Sequence, residues 1–164
     1  MSRAKKLENT ANVIIIVLAI VLSATVVKKY FLPSPVNESA KAGEKVSIKE
    51  LDFNKAEKTV LVALQPNCPF CGASANFYRE LRKQTTSDKN IRLVALFSPE
   101  VTDERKYLSS LNVDFDKVKK LPYDKIKIQA TPTILVIKPD GTIESVWVGK
   151  LSAEKEKDFF AKLF

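Results

Sequence analysis

Cys68 and Cys71 are the only cysteines in the chain, and Pro69 and Phe70 alone separate them, in the stretch QPNCPFCGASANFYREL. A pair at this spacing has three chemical uses: a redox couple, half of a metal site, or a structural staple. Two thiolates cannot fill a four-thiolate zinc site within one chain. The chain also has no histidine, which excludes a histidine base, histidine-ligated zinc and haem held through histidine. A site shared two-and-two across a dimer would be the exception. We expect a monomer with no metal and no other cofactor.

The redox use requires the first sulfur to be an accessible anion. Pro69 suits the first position of a helix, where its missing N–H is not needed. Cys68 would then lie where unpaired N–H groups favour negative charge, an arrangement that lowers a thiol pKa from ~8.5 toward ~3.5–7.5. Cys71, one turn along, is within disulfide reach. Cys68 is therefore the expected attacking sulfur and Cys71 the resolving one. A second motif, Ala-Thr-Pro-Thr at 130–133, directly precedes an apolar strand. Read alone, Thr131-Pro132 is a proline at a strand start. An X-Pro bond can also be cis in a tight turn, and a proline there leaves its neighbour's backbone free to pair with an extended peptide. A shallow face around Cys68, Phe70, Thr131 and Pro132 could read such a peptide.

The elements around these motifs follow from periodicity. TVLVALQ at 59–65 is almost continuously apolar, as suits a central strand covered on both faces. CGASANFYRELRKQ, from Cys71, has helical spacing of Ala75, Tyr78, Leu81 and Arg82. IRLVALF at 91–97 is a second strand. A helix is expected from Ser98 as cap and Pro99 as first residue, with Val101, Tyr107, Leu108 and Leu111 on its apolar side. Residues 112–128 show no clear pattern. TILVIKPDGTIESVWVG at 133–149 predicts a hairpin around Pro-Asp-Gly. Ser152 should cap a final helix that buries Phe159, Phe160 and Leu163, with Phe164 finishing it. Val46–Ile48 could add an edge strand. The expected fold is α/β, a central mixed sheet flanked by helices.

Ahead of this domain, Ala11 to Val27 carries no charge. As a helix it would reach ~26 Å, close to a ~30 Å hydrocarbon core. Lysines follow at once, and Ser-Ala-Thr at 23–25 is a poor cleavage signal. We therefore expect an uncleaved transmembrane anchor over 11–29, after a short cytoplasmic segment at 1–10. The Pro- and Ser-containing stretch 30–45 reads as a linker, and 46–164 as the folded domain. Basic residues flank both ends of the apolar run. They weakly favour a cytoplasmic N-terminus and a domain on the exported, periplasmic side. Of the formal charge of +8, half lies in the first 29 residues, where Arg3, Lys5, Lys6, Lys28 and Lys29 oppose Glu8. The other basic residues are scattered among acids, unlike a nucleic-acid footprint, so no nucleic acid is expected as a partner.

The pieces VLVALQPNCPFCGASANFYREL and QATPTILVIKPDGTIESVWVGKLS, in this order and behind an apolar N-terminal run, resemble the thioredoxin fold. More narrowly, the chain resembles the membrane-anchored TlpA/ResA-like thiol–disulfide oxidoreductases of the cell envelope, over residues 44–164. The resemblance implies Cys68 as nucleophile and Cys71 as resolving cysteine. It implies a cis Pro132 facing them, Thr131 contacting the substrate backbone, and Gly149 closing the sheet before the last helix. Pro69 and Asn67 would support the motif. Implied partners are exported protein thiols or disulfides, a membrane partner that recycles the couple, and the bilayer through 11–29. Apocytochrome, copper-site and misfolded-protein thiols all remain open as substrates.

The chain departs from the family in three places. Asn67 stands where many members have an aromatic residue. Val62 stands where classical thioredoxins bury an aspartate. The first acid of the active-site helix, Glu80, lies too far along to act as a base for Cys71. Pro69 is shared with exported oxidases, but Phe70 replaces their histidine. The compact form, without a large helical insertion, favours a reductant over an oxidant. A chaperone or interaction module with a structural disulfide is the non-enzyme alternative, and a peroxidase-type relative is a weaker one.

Overall fold

Lys58–Ala63 forms β1, the middle strand of the sheet, and every residue after Lys58 is buried. The computed structural model describes residues 13–23, 38–48, 51–87 and 90–164. The other strands are β2 (Ile91–Phe97), β3 (Lys117–Lys120), β4 (Thr133–Ile137) and β5 (Ile143–Val148). Their order is β3-β2-β1-β4-β5. β1 runs parallel to β2, and β2 parallel to β3. β4 is antiparallel to both β1 and β5. Leu61 at the centre faces Val94 on one side and Leu135 on the other.

Strand side chains alternate between faces, so two cores form. On one face Val60, Val62 and Leu64 meet three helices: α2 (Ala75–Ser87), α3 (Glu104–Leu111) and α4 (Ala153–Leu163). α2 contributes Phe77, Tyr78 and Leu81, and α4 contributes Phe159 and Leu163. Phe159 makes edge contacts with Phe77 at 5.2 Å and with Trp147 at 5.8 Å. On the other face Leu61, Ala63, Leu96 and Leu135 are covered by Ala40, Ile48, Leu51, Phe53, Ile126 and Ile128. These come from irregular chain and two short 3-10 turns, Phe53–Lys55 and Tyr123–Ile126.

The N-terminal cover is fastened to the turn between β4 and β5. Gly43 N–H donates to the Ile143 carbonyl at 2.8 Å, and Val46 N–H to the Gly141 carbonyl at 2.8 Å. Gly141 has φ +82°, and a Cβ there would come within 2.7 Å of the Val46 carbonyl oxygen. Only glycine meets both demands. Residues 38–45, within the stretch read as linker, pack here, with Ala40 buried and its N–H donating to the Lys127 carbonyl at 3.0 Å.

Several expectations need correction. The anchor expected over 11–29 is overturned: among the described residues no helix is long and apolar enough to cross a membrane. The described part of that segment, residues 13–23, is helical. Residues 11–12 and 24–29 lie outside the described residues. With the anchor fall the transmembrane part of the fold class, the membrane-anchored branch of the resemblance and the bilayer as partner. The membrane recycling partner, the single-pass topology and the exported placement built on that topology fall with it.

Smaller corrections concern the domain itself. Val46–Ile48 forms no strand, and only an isolated bridge joins Lys45 to Thr142. The fifth strand is β3 instead. α3 starts at Glu104 rather than after Ser98, because residues 98–101 close a turn, with Val101 N–H donating to the Ser98 carbonyl. Phe164 is 56% exposed and finishes no buried face.

Candidate active site

The chain leaves β1 at Ala63 and reaches Cys68 through a tight turn, in which Cys68 N–H donates to the Gln65 carbonyl at 3.1 Å. Cys68 then caps α1 (Pro69–Ala73), a five-residue helix with proline in its first turn. The helix expected to be continuous from Cys71 breaks at Ser74. There the serine hydroxyl donates to the Phe70 carbonyl at 2.8 Å, and α2 begins at the next residue. A five-residue helix has only a small dipole. The groups that hold an anion at Cys68 are therefore individual N–H donors rather than a long helix field.

Cys71 N–H points at the Cys68 sulfur from 3.2 Å. The Cys68 thiol in turn lies 3.1 Å from the Thr131 carbonyl oxygen, to which it donates when protonated. Cys68 is half-buried and Cys71 is fully buried, and the two sulfurs are unbonded. Partial burial pushes the Cys68 thiol up. The bonds from the Cys71 and Thr131 side chains and from the Cys71 and Phe70 backbone outweigh it, so the thiol lies below its ordinary value. Burial, and then the neighbouring Cys68, push Cys71 up to about 12. Near neutral pH the pair therefore has one sulfur inclined to ionise and one held neutral.

Thr131–Pro132 is a cis peptide, and Pro132 is buried at the entrance to β4. Gly149, with φ +79°, donates its N–H to the Pro132 carbonyl at 2.7 Å as β5 ends. Phe70 is 60% exposed beside the sulfurs, and Asn67 and Pro69 are exposed in the same turn. The fold thus brings Cys68, Cys71 and Thr131 into direct contact. Gly149 meets them only through Pro132. No group of three or more metal-ligating side chains occurs among the described residues.

The sequence reading missed three tyrosines. Tyr78 and Tyr107 have buried hydroxyls without a hydrogen-bond partner, on the sheet face that holds Cys71. Tyr123 donates to the Leu64 carbonyl at 2.5 Å from the other face, closing the end of β1 above the motif. Burial raises all three phenols well above their ordinary range, and charge on the cysteines raises them further. Tyr78, seven residues after Cys71, could have been found from helical spacing. Nothing in the sequence ties Tyr107 or Tyr123 to the pair.

A family model described as a thioredoxin-like domain matches residues 44–163, and the chain belongs to that family. No curated protein matches the chain. Among solved structures, one assigned as the thiol:disulfide interchange protein DsbE of Chlorobium tepidum is 16% identical, with a TM-score of 0.58, covering 77% of this chain and 95% of its own. StoA of Bacillus subtilis is 21% identical, with a TM-score of 0.54, covering 75% and 95%. A thiol-disulfide isomerase of Corynebacterium glutamicum is 16% identical, with a TM-score of 0.55, covering 77% and 94%. At such identities the likeness is one of fold. Fold and cysteine pair together define a thiol–disulfide oxidoreductase of the thioredoxin-like class.

Proposed function

We propose that Cys68 is the nucleophile, that Cys71 resolves, and that the couple works as a reductant of protein disulfides. The Cys68 thiolate attacks one sulfur of a substrate disulfide. A Cys68–substrate bond forms, the substrate S–S bond breaks, and a substrate thiolate leaves and takes up a proton. The Cys71 thiolate then attacks Cys68. The intramolecular disulfide forms and the second substrate thiolate departs. The substrate gains two electrons and the couple loses two.

The observation that carries the reading is the asymmetry of the pair. Cys68 is reachable and held below the ordinary thiol value, while Cys71 is buried and pushed up to about 12. The direction is supported by what stabilises the anion. Hydrogen bonds from Cys71, Thr131 and Phe70 act on Cys68, and no cationic side chain stands among them. A thiolate stabilised by neutral donors alone leaves the dithiol a better electron donor than one paired with a cation. Thr131 and Pro132 would hold an extended substrate segment beside the sulfur, with Phe70 as its apolar contact.

The deciding experiment is equilibrium of the full chain against glutathione or thioredoxin redox buffers, with Cys71→Ser added to trap the mixed disulfide. A potential nearer about −270 mV supports the reductant. A value near −120 mV makes it an oxidant. A couple below about −300 mV that traps no substrate makes the disulfide structural.

A further inference from the structure

The Cys68 sulfur sits between two parts of the chain that the sheet alone does not hold in place. It lies 3.2 Å from the Cys71 backbone nitrogen and 3.1 Å from the Thr131 carbonyl oxygen. The last rung between β1 and β4 pairs Ala63 with Thr133. Beyond it, residues 64–68 and 128–132 run past the end of the ladder as irregular chain. Each arm has a bond of its own. Cys68 N–H donates to the Gln65 carbonyl at 3.1 Å, and the Thr133 hydroxyl donates to the Ala130 carbonyl at 2.7 Å. Neither bond ties one arm to the other.

Tyr123 does. Its hydroxyl donates to the Leu64 carbonyl at 2.5 Å, at the root of the first arm. The Leu64 N–H is spent on the Leu96 carbonyl at 2.9 Å. The Tyr123 backbone carbonyl accepts the Ile128 N–H at 2.9 Å, at the root of the second arm. The 3-10 turn that carries Tyr123 is itself anchored, because Ile126 is buried in the core on that face of the sheet. A peptide unit is planar, so fixing the Leu64 carbonyl also fixes the direction in which Gln65 leaves the strand. Burial keeps the phenol protonated, so it remains a donor through neutral pH.

We propose that Tyr123 is a positioning residue for the exchange reaction: it clamps the two arms together, so that the Cys68 sulfur keeps its place between the Cys71 N–H and Thr131. The role rests on the exchange reading above. Tyr123 acts through the arms and not on the sulfur, and no bond to tyrosine forms or breaks. The titratable groups facing Cys68 are Cys71 from its own helix, Tyr78 and Tyr107 from the helix-side core, and Tyr123 itself. All three phenols stay neutral near pH 7, so the clamp works by geometry and not by charge.

The test is the pH profile of Cys68 alkylation by iodoacetamide in the reduced full chain, with amide exchange at Cys68 read alongside. Tyr123→Phe keeps the ring and removes the clamp. A hydrogen bond to a charged group is worth about tenfold or more in equilibrium, so loosening one should raise the alkylation midpoint by roughly half a pH unit. The thiolate fraction near neutral pH then falls about threefold, and the Cys68 amide exchanges faster. Ile126→Val, in the same turn and on the same buried face, removes packing without touching the clamp. It should lower stability to urea and leave the midpoint where it is. A midpoint that Tyr123→Phe does not raise, or that both variants raise alike, overturns the positioning role. A parent Cys68 that alkylates like an ordinary thiol would instead sink the exchange reading.

Discussion

The Thr131 carbonyl oxygen lies 3.1 Å from the Cys68 sulfur, although 63 residues separate the two in sequence. The turn before β4 is thus part of the site, and any substrate disulfide that reaches Cys68 meets the Thr131 backbone as it does so. The relationship also shows that the reactive sulfur is held from two sides, by the Cys71 N–H at its own helix and by a strand entrance from the far half of the domain.

The first prediction concerns pH. Cys68 lies below the ordinary thiol value and Cys71 is pushed up to about 12. Iodoacetamide should modify Cys68 at pH values where an ordinary thiol, near ~8.5, is inert, and spare Cys71 throughout the neutral range. The linkage has two signs. The lowered thiol stabilises the reduced fold above its unfolded value, and that contribution is lost as pH falls through its folded value. The raised thiol contributes stability in full below ~8.5, lost as pH climbs toward about 12. Peptide mapping of the alkylated chain against pH measures the first claim. Equal labelling of both cysteines at neutral pH would contradict it.

Phe70 separates recognition from stability. It is 60% exposed at the site, so Phe70→Ala should change folding free energy by no more than about 0.5 kcal/mol. Loss of an apolar contact with a protein substrate should raise KM several-fold, on the order of 1 kcal/mol, with reactivity toward a small disulfide unchanged. Parallel assays with insulin and with a small aromatic disulfide make the comparison. Equal losses with both would remove Phe70 from substrate contact.

Phe159 tests the helix-side core. It is 1% exposed and touches Phe77, Trp147 and Phe160 edge-on. Phe159→Ala should cost about 3–5 kcal/mol in urea unfolding. A loss below about 1 kcal/mol would mean that α4 repacks without it.

Gly141 tests the opposite face. With φ +82° and only 2.7 Å from a Cβ to the Val46 oxygen, Gly141→Ala should cost more than about 1 kcal/mol. The damage should appear first as faster amide exchange in residues 43–46, whose backbone bonds fasten the N-terminal cover. Uniform loss of protection across the sheet instead would mean that this cover is no separate unit.

What could be read from the sequence follows from where apolar patterning is strong. The run at 59–65, the Pro-Asp-Gly turn and the Ser152 cap each have one dominant signal, and each forms the element that signal specifies. β3 did not yield, because KVKK is an edge strand with exposed lysines and has no apolar run to detect. The cover from Ala40 to Phe53 is irregular chain, whose buried residues follow no period. Within the site, the cysteines and Thr131-Pro132 stood out by spacing and type. Tyr107 and Tyr123 did not, since only the packing of distant segments brings them near the dithiol. The apolar N-terminal run predicts a helix of near-spanning length, whereas among the described residues no helix is long and apolar enough to cross a membrane.

β3 carries a last consequence. It is the outer strand beside β2, and three of its four residues are lysines. A second molecule laid alongside would place cation against cation along the free ladder, at a cost for each opposed pair. The rim thus disfavours edge-to-edge association of one copy with another and leaves β3 a protected edge.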